Sequence, residues 1–138
     1  MRWSDWAWAI ARCLYGLVFI GLTAVVIVQF GGDHPPEVNP AAGDFTGALN
    51  RTGFMNPLLT GTLLLGGTAL LFDRTAPIGL LLVAPSVVVI ALFHWLLTHT
   101  PVWGSIWPIW WAVLAWRYRS VFARLLQPRT KAPAVEKV

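Results

Sequence analysis

From Thr75 to Trp116 the chain runs 42 residues without an Asp, Glu, Lys or Arg. Two shorter uncharged runs, 13–32 and 52–72, hold 20 and 21 residues. A helix needs about 20 apolar residues to cross a hydrocarbon core of about 30 Å. The long run therefore suits two crossings, and it breaks at Thr98-His99-Thr100-Pro101, where polarity and a proline coincide. This spacing predicts an all-α, four-helix transmembrane bundle with spans near 7–30, 54–72, 76–98 and 102–118. The composition agrees, since only 12% of residues are charged where soluble domains carry about 25%. The first span does not read as a signal peptide. No small-x-small site follows Phe30, and Gly31-Gly32-Asp33-His34-Pro35 is a turn.

An even number of spans puts both termini on one side. That side would hold Arg2, Arg12, Arg74, Arg117, Arg119, Arg124, Arg129, Lys131 and Lys137, leaving only Arg51 of the ten Lys and Arg opposite. The positive-inside rule then places both termini in the cytoplasm. The net charge of +4 follows from this topology and from contact with anionic lipid. Nucleic acid is not an expected partner, because the chain has no folded basic domain.

Residues 1–126 are expected to form the single membrane domain, and 127–138, with Pro128 and Pro133, a disordered cytoplasmic tail. Trp3, Trp6 and Trp8 suit the inner interface, where an indole buries its ring and keeps its N–H wet. The outer loop divides in two. Gly31–Pro40 reads as turn, whereas Ala41–Arg51 reads as a short amphipathic periplasmic helix with Ala41, Phe45, Ala48 and Leu49 on one side. In the second span Thr62 and Gly66 form a small-xxx-small pair, which serves either packing inside the bundle or a dimer face. Pro85 should bend the third span, and Pro108 interrupts the fourth, which should continue as an amphipathic segment through Leu126.

Few residues are equipped for chemistry. Cys13 is the single cysteine, which excludes an internal disulfide, a CxxC redox pair and a cysteine-built zinc site. Apart from Arg12, about one turn inside the first span, no charged residue lies within a span, and ion-coupled export needs an intramembrane carboxylate. Arg12 either pairs with Asp73 at the same end of the second span or snorkels to the headgroups. The remaining polar residues gather at the outer end: Gln29, His94, Thr98 and His99. His94 and Thr98, four apart, share a helix face. His94 and His99, five apart, stand about 140° from one another and do not make a ready metal pair. Two readings of His94 are open. It is a structural histidine bonded to a carbonyl or to Gln29, or it hydrogen-bonds a ligand within a pocket. Trp103, Trp107, Trp110 and Trp111 recur at helical spacing opposite Trp95. They form an interfacial belt and core packing, or they line a cavity for a flat apolar molecule such as a quinone. In that second case His94 is neutral, Gln29 or Thr98 orients it, and Trp95 and Trp107 flank the ring.

The chain resembles the DoxX family of four-helix bacterial membrane proteins. The similarity lies in Ala11-Arg12 with Leu14-Tyr15-Gly16-Leu17-Val18-Phe19-Ile20-Gly21, Leu64-Leu65-Gly66-Gly67, Arg74 with Ala76-Pro77, Leu80 to Pro85 running on to Leu92-Phe93-His94, and Ala115-Trp116-Arg117-Tyr118-Arg119. The chain departs from the family at Leu63, where many members have glutamate, at Val89, where many have asparagine, and at Gln29, often Asn or Lys. The family is named after a subunit of a thiosulfate:quinone oxidoreductase. The resemblance implies a small non-catalytic subunit or scaffold of a quinone-linked membrane redox assembly. Its partners would be the bilayer and a redox subunit or further copies of the chain, and a quinone would be the one cofactor to consider. A binding or transport protein for a small apolar molecule is the alternative. An autonomous enzyme lacks its nucleophile, its metal cluster and its acid–base pair.

Overall fold

In the computed structural model, residues 3–29 and 39–125 are described, and their regular structure is entirely helical. α1 spans Trp3–Gln29, α2 Pro40–Arg51, α3 Met55–Leu71 and α4 Ala76–Leu92. A single π-helical turn, Phe93–Leu97, ends α4, and α5 (Pro101–Arg117) and α6 (Arg119–Leu125) follow. The expected loop Gly31 to Val38 and the tail 127–138 lie outside the described residues, together with Asp33, His34 and Glu37.

Two helices are long and apolar enough to cross a membrane, Trp3–Val28 and Ala76–Leu97, and α2 with α3 makes a third only if counted together across a 92° bend. α5 has 17 residues, which at 1.5 Å each reach about 26 Å, short of a hydrocarbon core of about 30 Å. The outer surfaces of all four long helices nonetheless carry large apolar side chains, among them Leu17, Val28, Leu65, Ile78, Leu96 and Ile109. A surface of that kind belongs in lipid or against other apolar helices.

The helices pack in sequence: α3 lies between α1 and α4, α4 lies between α3 and α5, and α1 meets α5. Adjacent glycines on α3 allow this. A Cβ on Gly67 would lie 2.8 Å from the Gly16 carbonyl oxygen of α1, and one on Gly66 would lie 2.6 Å from Val83 of α4. The partners are equally tight, because a Cβ on Gly16 would stand 2.6 Å from Gly67 O, and one on Gly79 2.8 Å from Gly66 O. One glycine thus serves each neighbour. The small-residue strip is spent inside the molecule, so of the two readings of Gly66 the packing one holds.

Around these contacts Tyr15, Phe19, Leu63, Leu70, Leu80, Val83 and Leu114 form a fully buried core. Buried Tyr15 and half-buried Trp111 also reach backbone oxygens across it. Tyr15 donates its hydroxyl to Trp107 O at 3.0 Å, joining α1 to α5, and Trp111 Nε1 donates to Leu80 O at 2.9 Å, joining α5 to α4. Leu80 O neighbours the Leu81 carbonyl, which loses its helical partner because Pro85 has no N–H.

Local signals explain the ends. Asn39 caps α2, its Oδ1 accepting from Ala41 N at 3.0 Å, and Pro40 occupies the first helical position. The Asn39-Pro40 pair therefore opens a helix instead of ending a turn region. α2 presents Ala42 as its buried residue and sets Phe45 against Phe93 at 5.7 Å, while Ala41 and Ala48 are exposed. Its inward face is thus rotated by about one residue from the expected one. The break at 98–100 falls where expected, with His99 at φ 52° and Pro101 opening α5. The last amphipathic stretch is separated from α5 by a cap at Tyr118 instead of continuing it.

The interlock predicts an asymmetric glycine scan. Gly67→Ala should cost about 1–3 kcal/mol, the range for forcing atoms into a packed core, because its neighbour is backbone and cannot turn aside. Gly61→Ala meets nothing within 4 Å and should be neutral or gain up to about 1 kcal/mol from helix propensity. Thermal unfolding in one detergent would compare them, and equal melting temperatures would contradict the interlock.

Candidate ligand site

The polar end of the structure is built on the π turn. Thr98 N bonds Phe93 O at 3.1 Å, five residues back, and Thr100 N bonds His94 O at 2.8 Å. Turns of this kind hold one residue more than an α turn and recur at functional sites. Here the turn brings three side chains together. His94 Nδ1 lies 3.2 Å from Thr98 Oγ1 and 3.0 Å from Thr100 Oγ1, and the two hydroxyls are 2.8 Å apart. Thr98 also donates to His94 O at 3.3 Å.

One proton arrangement makes the cluster a continuous chain. Nδ1–H donates to Thr100, Thr100 donates to Thr98, and Thr98 donates to the His94 carbonyl. Each hydroxyl then gives one bond and accepts one. In this arrangement the proton is on Nδ1, and Nε2, which no described residue bonds, is an acceptor.

Of the residues expected around His94, Thr98 is in place. Thr100 was not anticipated, because a six-residue separation does not share an α-helical face, and only the π turn and the left-handed His99 fold it back. The Gln29 side chain lies outside the described residues. Trp95 packs on Gly104 of α5, where a Cβ would come within 2.6 Å of its ring and within 2.8 Å of His94 Cβ. Trp107 stands 5.6 Å from Trp103 and 6.3 Å from Phe19. The ring edge-on to His94 is that of Phe93, at 5.7 Å. Trp95 and Trp107 thus belong to the seam between the π turn, α5 and α1, and Phe93 is the aromatic wall of His94.

The turn is held from outside as well. Asn39 donates Nδ2 to Leu97 O, so the residue that caps α2 also ties it to the π turn. A second amide pair, Asn56 Nδ2 to Asn50 Oδ1, closes the α2–α3 corner. Both were missed, because an Asn at a helix end carries no spacing signal that names its partner on another element. Among the described residues no three His, Cys, Asp or Glu side chains converge on a metal position.

At the opposite end, Asp73 accepts a hydrogen bond from the Tyr118 hydroxyl at 2.6 Å. No ion pair joins Arg12 to Asp73, since Asp73 lies in the turn beyond α3 and the phenol from the α5–α6 cap occupies its oxygen. Arg12 does not reach outward either. It is 7% exposed, and its Nη1 has no partner among the described residues.

No family model matches the chain, and no match was found among curated proteins or solved structures.

Two outcomes are expected. A buried charge without a partner costs its desolvation and gains no ion-pair energy in return, so Arg12→Met should hold or raise the melting temperature. An intact Arg12–Asp73 pair would make the same change strongly destabilising. Thr100→Val should leave Thr98 and Nδ1 incompletely bonded and cost about 1 kcal/mol, again read by thermal unfolding.

Proposed function

We infer that the protein is a four-pass membrane protein of the DoxX type that holds the head group of a quinone or quinol. It would do so as a small non-catalytic subunit beside a redox partner in a bacterial inner membrane, with both termini cytoplasmic. The observation that carries the reading is the state of His94. Its Nδ1 is engaged by two threonine hydroxyls, its Nε2 is open, and a phenylalanine ring stands at its edge. An imidazole held by one nitrogen offers the other at a fixed angle, which is how a pocket orients one polar atom of an apolar ligand. With the proton on Nδ1, Nε2 accepts, and the preferred partner is the hydroxyl of a quinol over the carbonyl of a quinone. The likeness of Leu80 to Pro85 and of Leu92-Phe93-His94 to the family's third helix supports the same site. The basic residues, nine of ten assigned to one side by four passes, support the orientation.

The binding reading is tested by tryptophan quenching with a ubiquinol analogue and with its quinone, in the wild type and in His94→Ala. The expected result is quenching by both, with tighter binding of the quinol and about tenfold weaker binding in the variant, the loss of roughly 1.4 kcal/mol. Quenching that is unchanged in the variant would make His94 structural. Orientation is checked independently with a cytoplasm-only reporter on each terminus, and both fusions should be active.

A further inference from the structure

A cleft of about 450 Å³ opens between Ile27 of α1 and the α2–α3 corner, lined also by Asn50, Gly53, Asn56, Pro57 and Thr60. Its volume lies within the range of about 300–1,000 Å³ typical of small-molecule sites. The 92° bend between α2 and α3 makes the recess, and Gly53, at φ 72°, makes the turn.

The lining has a definite chemistry. Asn56 bonds Asn50 side chain to side chain, and this consumes one amide nitrogen and one amide oxygen. Whichever way the pair is turned, one amide oxygen and one amide nitrogen are left without a described partner. One helical turn after Asn56 the Thr60 hydroxyl is buried and has no partner among the described residues, although most helical threonines among them reach a carbonyl three or four residues back, as Thr23, Thr62 and Thr68 do. A buried hydroxyl without a partner is costly, and one beside two half-used amides is a set of positions waiting for hydrogen bonds. The set contains a donor, an acceptor and a group that does both. Among the described residues no Asp, Glu, Lys, Arg or His lines it, so none of them would offset the desolvation of an ion. Ile27 and Pro57 supply apolar walls, and Ile27 lies in the last turn of a membrane-length helix.

We propose that this cleft binds a neutral, hydroxyl-rich head group, a sugar or polyol, with Thr60 and the Asn50–Asn56 amides bonding its hydroxyls. Adjacent hydroxyls both donate and accept, which matches the mixed capacity of the lining. An anionic phosphate offers acceptors only and would meet the free amide oxygen as a repulsion. The site is separate from His94 and does not depend on the quinol reading.

The test uses the whole protein in nanodiscs doped with monoglucosyl diacylglycerol, with diacylglycerol lacking the sugar, or with phosphatidylmethanol, an anionic phosphodiester whose head group has no hydroxyl. Retained lipid is counted by native mass spectrometry. The glucolipid should be retained in preference to both others. Thr60→Val keeps the shape and removes only the unpaired hydroxyl, so it should fold with an unchanged or higher melting temperature. It should weaken glucolipid retention about fivefold, the value of one neutral hydrogen bond, while His94→Ala leaves retention unaltered. Displacement of the glucolipid by free glucose would support the same chemistry and assign it a soluble source. Equal retention of glucolipid and diacylglycerol, preference for phosphatidylmethanol, or a Thr60→Val variant that binds as the wild type does would each overturn the proposal.

Discussion

Everything in this structure depends on how close α3 comes to its two neighbours. In lipid the apolar surface of a helix gains little by leaving its surroundings, so association rests on contact between surfaces that fit. Gly66 and Gly67 make that contact with the least possible material. One meets α4 through Gly79 and Val83, and the other meets α1 through Gly16. Residues one apart on a helix point about 100° from one another, so adjacent glycines can serve two neighbours, whereas a single small-xxx-small stripe serves one. With α3 closely seated, Tyr15 and Trp111 come within hydrogen-bonding distance of carbonyls on other helices. In a medium without water those bonds have no competitor.

Much of this was legible in the residues. The absence of charge over 75–116 and the proline after Thr100 located the helices and their break, because a bilayer punishes charge more strictly than a protein core does. Capping was legible too, though it was misread. Asn39-Pro40 reads as a breaker if proline is treated only as an interruption, and as a helix start if its tolerance of the first turn is weighed. The unread part is the part that depends on three dimensions. Nothing in the spacing of His94 and Thr100 says that they meet, because their meeting requires a π turn and a left-handed residue in succession. Arg12 and Asp73 look like partners by depth alone, and the sequence has no way of showing that Tyr118 arrives from a distant cap.

The two ends of the molecule differ in how their polar groups are satisfied. At the Tyr118 end an acid is bonded by a phenol while a buried guanidinium has a nitrogen with no partner. At the His94 end neutral groups dominate, and backbone and side-chain bonds tie α2, the π turn and the start of α5 into one unit. That unit is rigid where it needs to be. Asn39 and Phe45 hold the π turn from α2 and Gly104 holds it from α5, so the direction of the imidazole is set by two further elements rather than by one helix.

The π turn also bears on how this chain should be compared with others. It takes one residue more than the α turn it replaces. A related chain without that residue would need a single-position gap somewhere in 93–97, and aligned without it every residue beyond would be paired with one facing about 100° away. Its histidine could then stand in the same alignment column as His94 and yet face another helix. A column of matching histidines is a match of position along the chain. Whether it is also a match in space depends on which side of the gap each residue falls.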